Sequence, residues 1–171
     1  NVHVTWIGDD LMPWYANSRD QGGTWSEPMM VAAPGVNETG FPTIFAGAEG
    51  RVVIGYIGEA QDYDENTSTG GWSGYMAIMT DAFVDRPLIT SLALNHPDDP
   101  LDITPDCGNV RCGGFGDFID VIIDLEGRPW IALANNPNGE IGIIGTISEG
   151  PALRGDLMPL APLIPGGPVT L

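Results

Sequence analysis

Ser18-Arg19-Asp20-Gln21-Gly22-Gly23-Thr24-Trp25 is the stretch that decides how this chain is read. It has the form S-x-D-x-G-x-T-W, and its fixed positions suit a tight turn. The Asp20 carboxylate is placed to accept hydrogen bonds from backbone N–H groups. Gly22 supplies the positive φ such a turn demands, and Trp25 is expected to pack beneath the hairpin. The turn would join two strands, one ending PWYANSRD from Pro13 and one over residues 28–33.

Working outward, two segments share a layout: GFPTIFAGAEGRVVIGYIGE from Gly40 and GDFIDVIIDLEGRPWIALANN from Gly116. In each, a Phe opens an apolar strand, an acidic residue and Gly-Arg make a turn, and a second apolar strand follows, so Gly50-Arg51 corresponds to Gly127-Arg128. Strands apolar on both sides suit burial between stacked sheets. VHVTWI from Val2 repeats the second strand, as do VVIGYI from Val52 and PWIALA from Pro129. Each copy is followed by another strand: PWYANSRD, GYMAIMTD near Gly74 and EIGIIGTIS near Glu140. Fourth strands are expected over residues 28–33 and 88–94. No segment spaces its apolar residues three and four apart over a dozen positions, so helical repeats are excluded.

Four-stranded units recurring every roughly 40 to 50 residues describe propeller blades. The expected fold is therefore all-β: a propeller segment of about three four-stranded antiparallel blades. That falls short of a closed ring, which takes roughly four to eight blades. Blades span residues 1–149: a partial blade lacking its first strand (1–36), a full blade (37–96), and a partial blade with a Cys-loop insertion (97–149). Residues 150–171 read as a Pro/Gly-rich extended tail, either a partner-binding arm or the irregular entry to another blade. The opening NVHVTWIG already reads as a strand, which suggests a chain that starts inside a larger or processed protein.

Across 171 residues, 43% hydrophobic content and a mean hydropathy of +0.03 describe an ordinary globular chain. Its net charge is not ordinary: 23 acidic groups face 6 basic ones, all arginine, for a formal −17. Such a surface repels phosphate backbones and anionic membranes, so nucleic acid is excluded as a partner. No apolar run is long enough to span a membrane. Cys107 and Cys112, spaced C-x4-C in a Gly-rich stretch, are expected to form a disulfide, which with the acceptor patterns at Asn37 and Asn66 points to an extracellular or cell-surface setting.

The S-x-D-x-G-x-T-W string is also the motif through which the first hundred or so residues resemble the Asp-box (BNR-repeat) sialidase-like propeller proteins of bacteria. TWIGDDLMPWYANSRDQGGTWSEPMMVA, GFPTIFAGAEGRVVIGYIG and TGGWSGYMAIMTDA carry the likeness, with RCGGFGDFIDVIIDLEGRPWIALAN looser. The resemblance implies a propeller of roughly six or seven blades with ligands at the axial face. It does not imply sialidase chemistry, because many such proteins only bind or scaffold. Catalytic members are described as using an arginine triad, a Tyr–Glu nucleophile pair and an Asp acid/base. Their F-R-I-P signature has only Gly40-Phe41-Pro42-Thr43-Ile44 as a counterpart, without arginine. Arg19, Arg51 and Arg128 fall in turns and Arg111 in the Cys loop.

Other constellations remain open. Asp62, Asp64 and Asn66 have the D-x-D-x-N spacing that turns alternate side chains toward one cation, so calcium is the one cofactor to entertain, although Thr67 and Ser73 stand where an EF-hand needs Gly and Glu. Asp9 with Asp10 and Asp117 with Asp120 are acidic pairs that could approach a propeller axis. Trp14, Tyr15, Tyr63 and Trp72 are candidates for stacking on a ligand, while Trp6, Trp25 and Trp130 are assigned to packing. The functional expectation is an extracellular, non-catalytic binding or structural module for a carbohydrate or protein ligand. Its remaining blades would come from the same protein or a neighbouring chain. The alternatives are a glycoside hydrolase whose catalytic residues lie outside this span and a subunit of an extracellular assembly.

Overall fold

Short apolar runs punctuated by Gly, Pro and Asp have too few residues for helices but enough for strands. The computed structural model, which describes residues 1–59, 71–96, 99–101, 119–135 and 141–163, contains ten strands and no helix among them. They form three consecutive antiparallel sheets. The first has β1 (Val2–Ile7), β2 (Pro13–Ser18) and the short β3 (Met29–Met30). The second has β4 (Glu38–Ala46), β5 (Val52–Glu59), β6 (Trp72–Met79) and β7 (Thr90–Ala93). The third has β8 (Asp120–Ile123), β9 (Pro129–Asn135) and β10 (Ile141–Thr146). Neighbours in sequence are neighbours in each sheet, and β4 touches β1 on one side and β8 on the other. The chain is thus a propeller segment that builds its blades one after another. The fourth strands are much shorter than residues 28–33 and 88–94 suggest.

Strand alternation divides the core in two. Val52, Ile54 and Tyr56 on β5, with Tyr75, Ala77 and Met79 on β6, bury against Tyr15 and Val31 of the first blade. The intervening Val53, Ile57, Met76 and Ile78 bury against Val121, Ile123, Ile131 and Leu133 of the third. The middle blade is therefore covered on both faces, which explains its unbroken apolar strands. Small residues set how closely the blades approach. A Cβ on Gly55 would lie 2.5 Å from the Ile131 Cδ1, and one on Gly74 would overlap the Leu133 Cδ1.

The two Gly-Arg turns match in detail. Gly50 and Gly127 both have positive φ, at 74° and 91°. The Gly47 and Asp124 amides donate to the Arg51 and Arg128 carbonyls at 2.9 Å each. Both guanidinium groups then reach the chain after β10. Arg51 donates to the carbonyls of Ala152 and Gly155, and the buried Arg128 donates to those of Ile147, Ser148 and Ala161. Residues 150–163 are consequently not the free arm that their composition suggests. They fold back as a small loop closed by the Pro151–Pro159 bridge, with Leu153 and Leu160 buried and the Leu153 N–H bonded to the Gly127 carbonyl.

Candidate functional site

Strand direction gives the segment two ends. At one lie the Gly-Arg turns, the connections after β2 and β6, and the folded tail. At the other lie residues 8–12, the start of β4, the end of β5, the start of β6 and Asp120.

The turn end is held by side-chain hydrogen bonds. Asp20 accepts from the Thr24 N–H and the Thr24 hydroxyl at 2.8 Å each, and from the Ser18 hydroxyl at 2.8 Å. Led by the Thr24 amide, these bonds pull its carboxyl down to about 2. Ser18 Oγ in turn accepts from the Gly22 N–H, whose φ is 96°. The Trp25 ring does not pack into the core as its motif position suggests; it is 46% exposed and lies over Gly22, 3.8 Å from where a Cβ would stand. In the second blade Asp81 occupies the place of Asp20. The Val84 amide donates to the Asp81 carbonyl as Gly23 does to Asp20, but the carboxylate reaches forward to the Leu88 N–H. Asp124 plays a similar part in the turn of the third blade. Burial pushes its carboxyl up, but bonds from Trp130 Nε1 and from the Arg128, Glu126 and Gly127 amides outweigh that and hold it below its usual value.

The opposite end has carboxylates and, among the described residues, no arginine. Thr39 donates from both its amide and its hydroxyl to the Leu11 carbonyl, at 3.0 and 2.7 Å, tying residues 8–12 to the start of β4. Asp9, Asp10, Glu38, the buried Glu59, Asp99 and Asp120 belong to this end. Glu59 accepts from the Gly71 N–H at 3.1 Å. The Thr43 hydroxyl lies 3.4 Å from the Asp120 carboxylate across the β4–β8 seam, beside a bulge between Gly40 and Thr43 where Phe41 takes a φ of 50°. All five described arginines, Arg19, Arg51, Arg86, Arg128 and Arg154, sit at the turn end.

Several candidate residues are placed differently from their sequence reading. Tyr15 is fully buried against the middle blade with its hydroxyl 2.7 Å from the His3 Nδ1, and desolvation pushes it up to about 12, so its ring has no open face for a ligand. Trp72 is likewise buried in the core between the second and third blades. Trp14 is half-buried, its Nε1–H shared by the two Asp10 oxygens at 3.0 and 3.2 Å; this bond, with one from the Met12 amide, holds the Asp10 carboxyl low. Asp10 is thereby committed to its own loop and not to Asp9. Trp6, assigned to packing, is 37% exposed because it points away from the middle blade. Trp130 is half-buried, with Nε1 bonded to Asp124. Asn37 is exposed beside β4. Tyr63, Asp62, Asp64, Asn66, Arg111, Cys107, Cys112 and Asp117 lie outside the described residues. The Thr43–Asp120 pair is brought together across two blades by chain pairing that no local pattern announces.

Comparison with known proteins adds little to this geometry. No family model matches the sequence, and no curated protein matches it. Among solved structures the chain is similar to an endo-arabinase from Bacteroides thetaiotaomicron, at 16% identity and a TM-score of 0.38, over 85% of this chain and 55% of that one. The chain thus spans about half the length of that protein. The fold rests on the three sheets themselves.

Proposed function

We propose that this segment is a non-catalytic recognition module of an extracellular propeller protein, and that the ligand met at its carboxylate-lined end is a neutral carbohydrate. The observation that supports the reading is the placement of the arginines, all of which among the described residues lie at the turn end. Among the described residues the ligand-facing end has Asp9, Asp10, Glu38, Glu59, Asp99 and Asp120 but no Arg, and the chain has no Lys at all. A site of that sign repels carboxylated sugars, phosphates and acidic peptides, whereas sugar hydroxyls are good donors to carboxylate oxygens. A sialidase-like grip on a substrate carboxylate would need guanidinium groups where these carboxylates stand. Thr43 and Asp120 offer a hydroxyl and a carboxylate within reach of one ligand.

The test is calorimetric titration of the chain with matched neutral and sialylated oligosaccharides. Binding to the neutral member alone, lost in Asp120→Ala, supports the reading. Preference for the sialylated member, or equal heats in both cases at baseline, refutes it.

A further inference from the structure

The chain has two histidines, and one of them, His3, sits in the seam between the first and second blades. The repeat that aligns Val2, Val52 and Pro129 gives Val53 and Trp130 the corresponding place in the other two blades. Only in the first blade does that position carry a group that ionises near neutral pH. The imidazole is half-buried. It stacks on Tyr15 of its own blade with ring centroids 6.0 Å apart, and it tilts against Phe83 of the next blade at 5.4 Å.

The hydrogen bonds around it fix which atom donates. Tyr15 is fully buried, and desolvation pushes its hydroxyl up to about 12, so it keeps its proton. The Asn17 amide bonds to the same hydroxyl and pulls the other way, as a donor does; its Nδ2 also donates to the Ala82 carbonyl of the second blade at 2.9 Å. With an N–H on that side, the Tyr15 proton goes to His3 Nδ1, 2.7 Å away. Nδ1 is then the unprotonated acceptor, and the ring's hydrogen stands on Nε2. An imidazolium reverses this. Its Nδ1–H and the Asn17 amide both point at the Tyr15 oxygen, whose own proton loses its acceptor in a buried site.

The charges nearby offer an imidazolium nothing in return. Arg19 holds its guanidinium 5.1 Å from the Phe83 ring, and the amino group of Asn1 is also positive. Glu49, from the β4–β5 turn, is directed at Arg19 at 4.0 Å; Asp81 accepts from the Leu88 amide, and Asp85 and Arg86 are exposed. Burial first, and then the amino-terminal charge, hold His3 below its ordinary 6.5. A histidine lowered in the fold takes up its proton more readily once the seam is open. What it adds is therefore complete above 6.5 and is lost as the pH falls below that value.

We propose that His3 is a pH-sensitive latch between the first two blades. Neutral, it joins Tyr15 to Phe83 and holds the corner of the second blade against the first; protonated in mild acid, it leaves the seam and frees that corner. Falling pH also begins to discharge the carboxylates of a chain with a formal charge of −17, which lowers its self-repulsion. A loosening in mild acid is thus opposite in sign to the bulk electrostatic response.

Nitrogen-15 NMR of the imidazoles, with ring NOEs, tests the latch. At about pH 7.5 the His3 ring should carry its hydrogen on Nε2 and show cross-peaks to Phe83. These cross-peaks should disappear along the His3 titration curve, with a midpoint below 6.5, and the Ala82 and Phe83 amide shifts should move with them. His3→Gln, whose side chain can accept from Tyr15 without titrating, should flatten the amide response, whereas His96→Gln should leave it as in the parent. Acetylating the Asn1 amino group, selective because the chain has no Lys, should leave the response in place. A hydrogen on Nδ1 at neutral pH overturns the proposal, as do cross-peaks that persist once the imidazole is protonated. So does an amide response that survives in His3→Gln, vanishes in His96→Gln or vanishes on acetylation.

Discussion

The Asn17 side chain donates from Nδ2 to the Ala82 carbonyl at 2.9 Å, a buried bond that ties the last strand of one blade before its corner to the corner of the next. Around it Phe83 lies 5.4 Å from the His3 ring and 5.1 Å from the Arg19 guanidinium, so the two corners lean on each other. Blade stacking at this end is polar and directional, unlike the apolar contacts below it.

Replacing Asn17 with Leu keeps the volume but leaves the Ala82 carbonyl without this donor. A stability loss of about 1 to 3 kcal/mol is expected. Urea titration should show a lower midpoint at an unchanged slope; an unchanged midpoint would mean that the bond adds nothing.

The acid response of the corner follows from Asp20. Its carboxyl lies at about 2 when folded, below the ordinary 3.8, so the stability it adds is complete above that ordinary value and is lost as the pH falls toward about 2. Asp124 shifts in the same direction. Thermal melts should therefore drop across that window. Asp20→Asn should melt lower at neutral pH and fall less steeply in acid. Because Asp20 is solvent-exposed, the difference should be small, and parallel curves for the two proteins would contradict this account.

The succession of blades is legible in the sequence because Val2, Val52 and Pro129 open the same apolar strand three times, and a strand covered on both faces shows in composition alone. The corner at Ser18–Trp25 is legible for a related reason: its bonds all run within eight residues. What escapes the sequence depends on partners far away in the chain. Tyr15 and Trp72 read as ligand-stacking aromatics until other blades cover them, and Trp6 reads as core although it points away from the middle blade. The tail looks like a loose arm because Arg51 and Arg128, which pin it, appear in sequence only as turn residues about a hundred and about twenty positions earlier. Their acceptors are backbone carbonyls, which leave no side-chain signature.

The tail clasp makes its own prediction. Arg128→Met removes the donor that serves the Ile147, Ser148 and Ala161 carbonyls, at an expected cost of about 3 kcal/mol for charge-assisted bonds in a buried setting. Amide exchange at Leu153 and Leu160 should quicken before exchange in β5 or β6 does. Uniform quickening would show instead that the tail is not a separate unit.

Gly74→Ala should drive a methyl into Leu133 and cost about 1 to 3 kcal/mol through overpacking between the second and third blades. Leu133→Ala in the same chain should return part of that loss, giving a coupling of about 0.5 to 3 kcal/mol in a double-mutant cycle. Additive losses would separate the two residues.

Face-to-face stacking of consecutive sheets is tested most directly by methyl NOE spectroscopy on the chain with labelled Ile and Leu. Cross-peaks from the Ile131 δ methyl to the Gly55 Hα and from the Leu133 methyls to the Gly74 Hα are the expected result. If those methyls show contacts only within their own sheet, or to the first blade, the blade order described here is wrong.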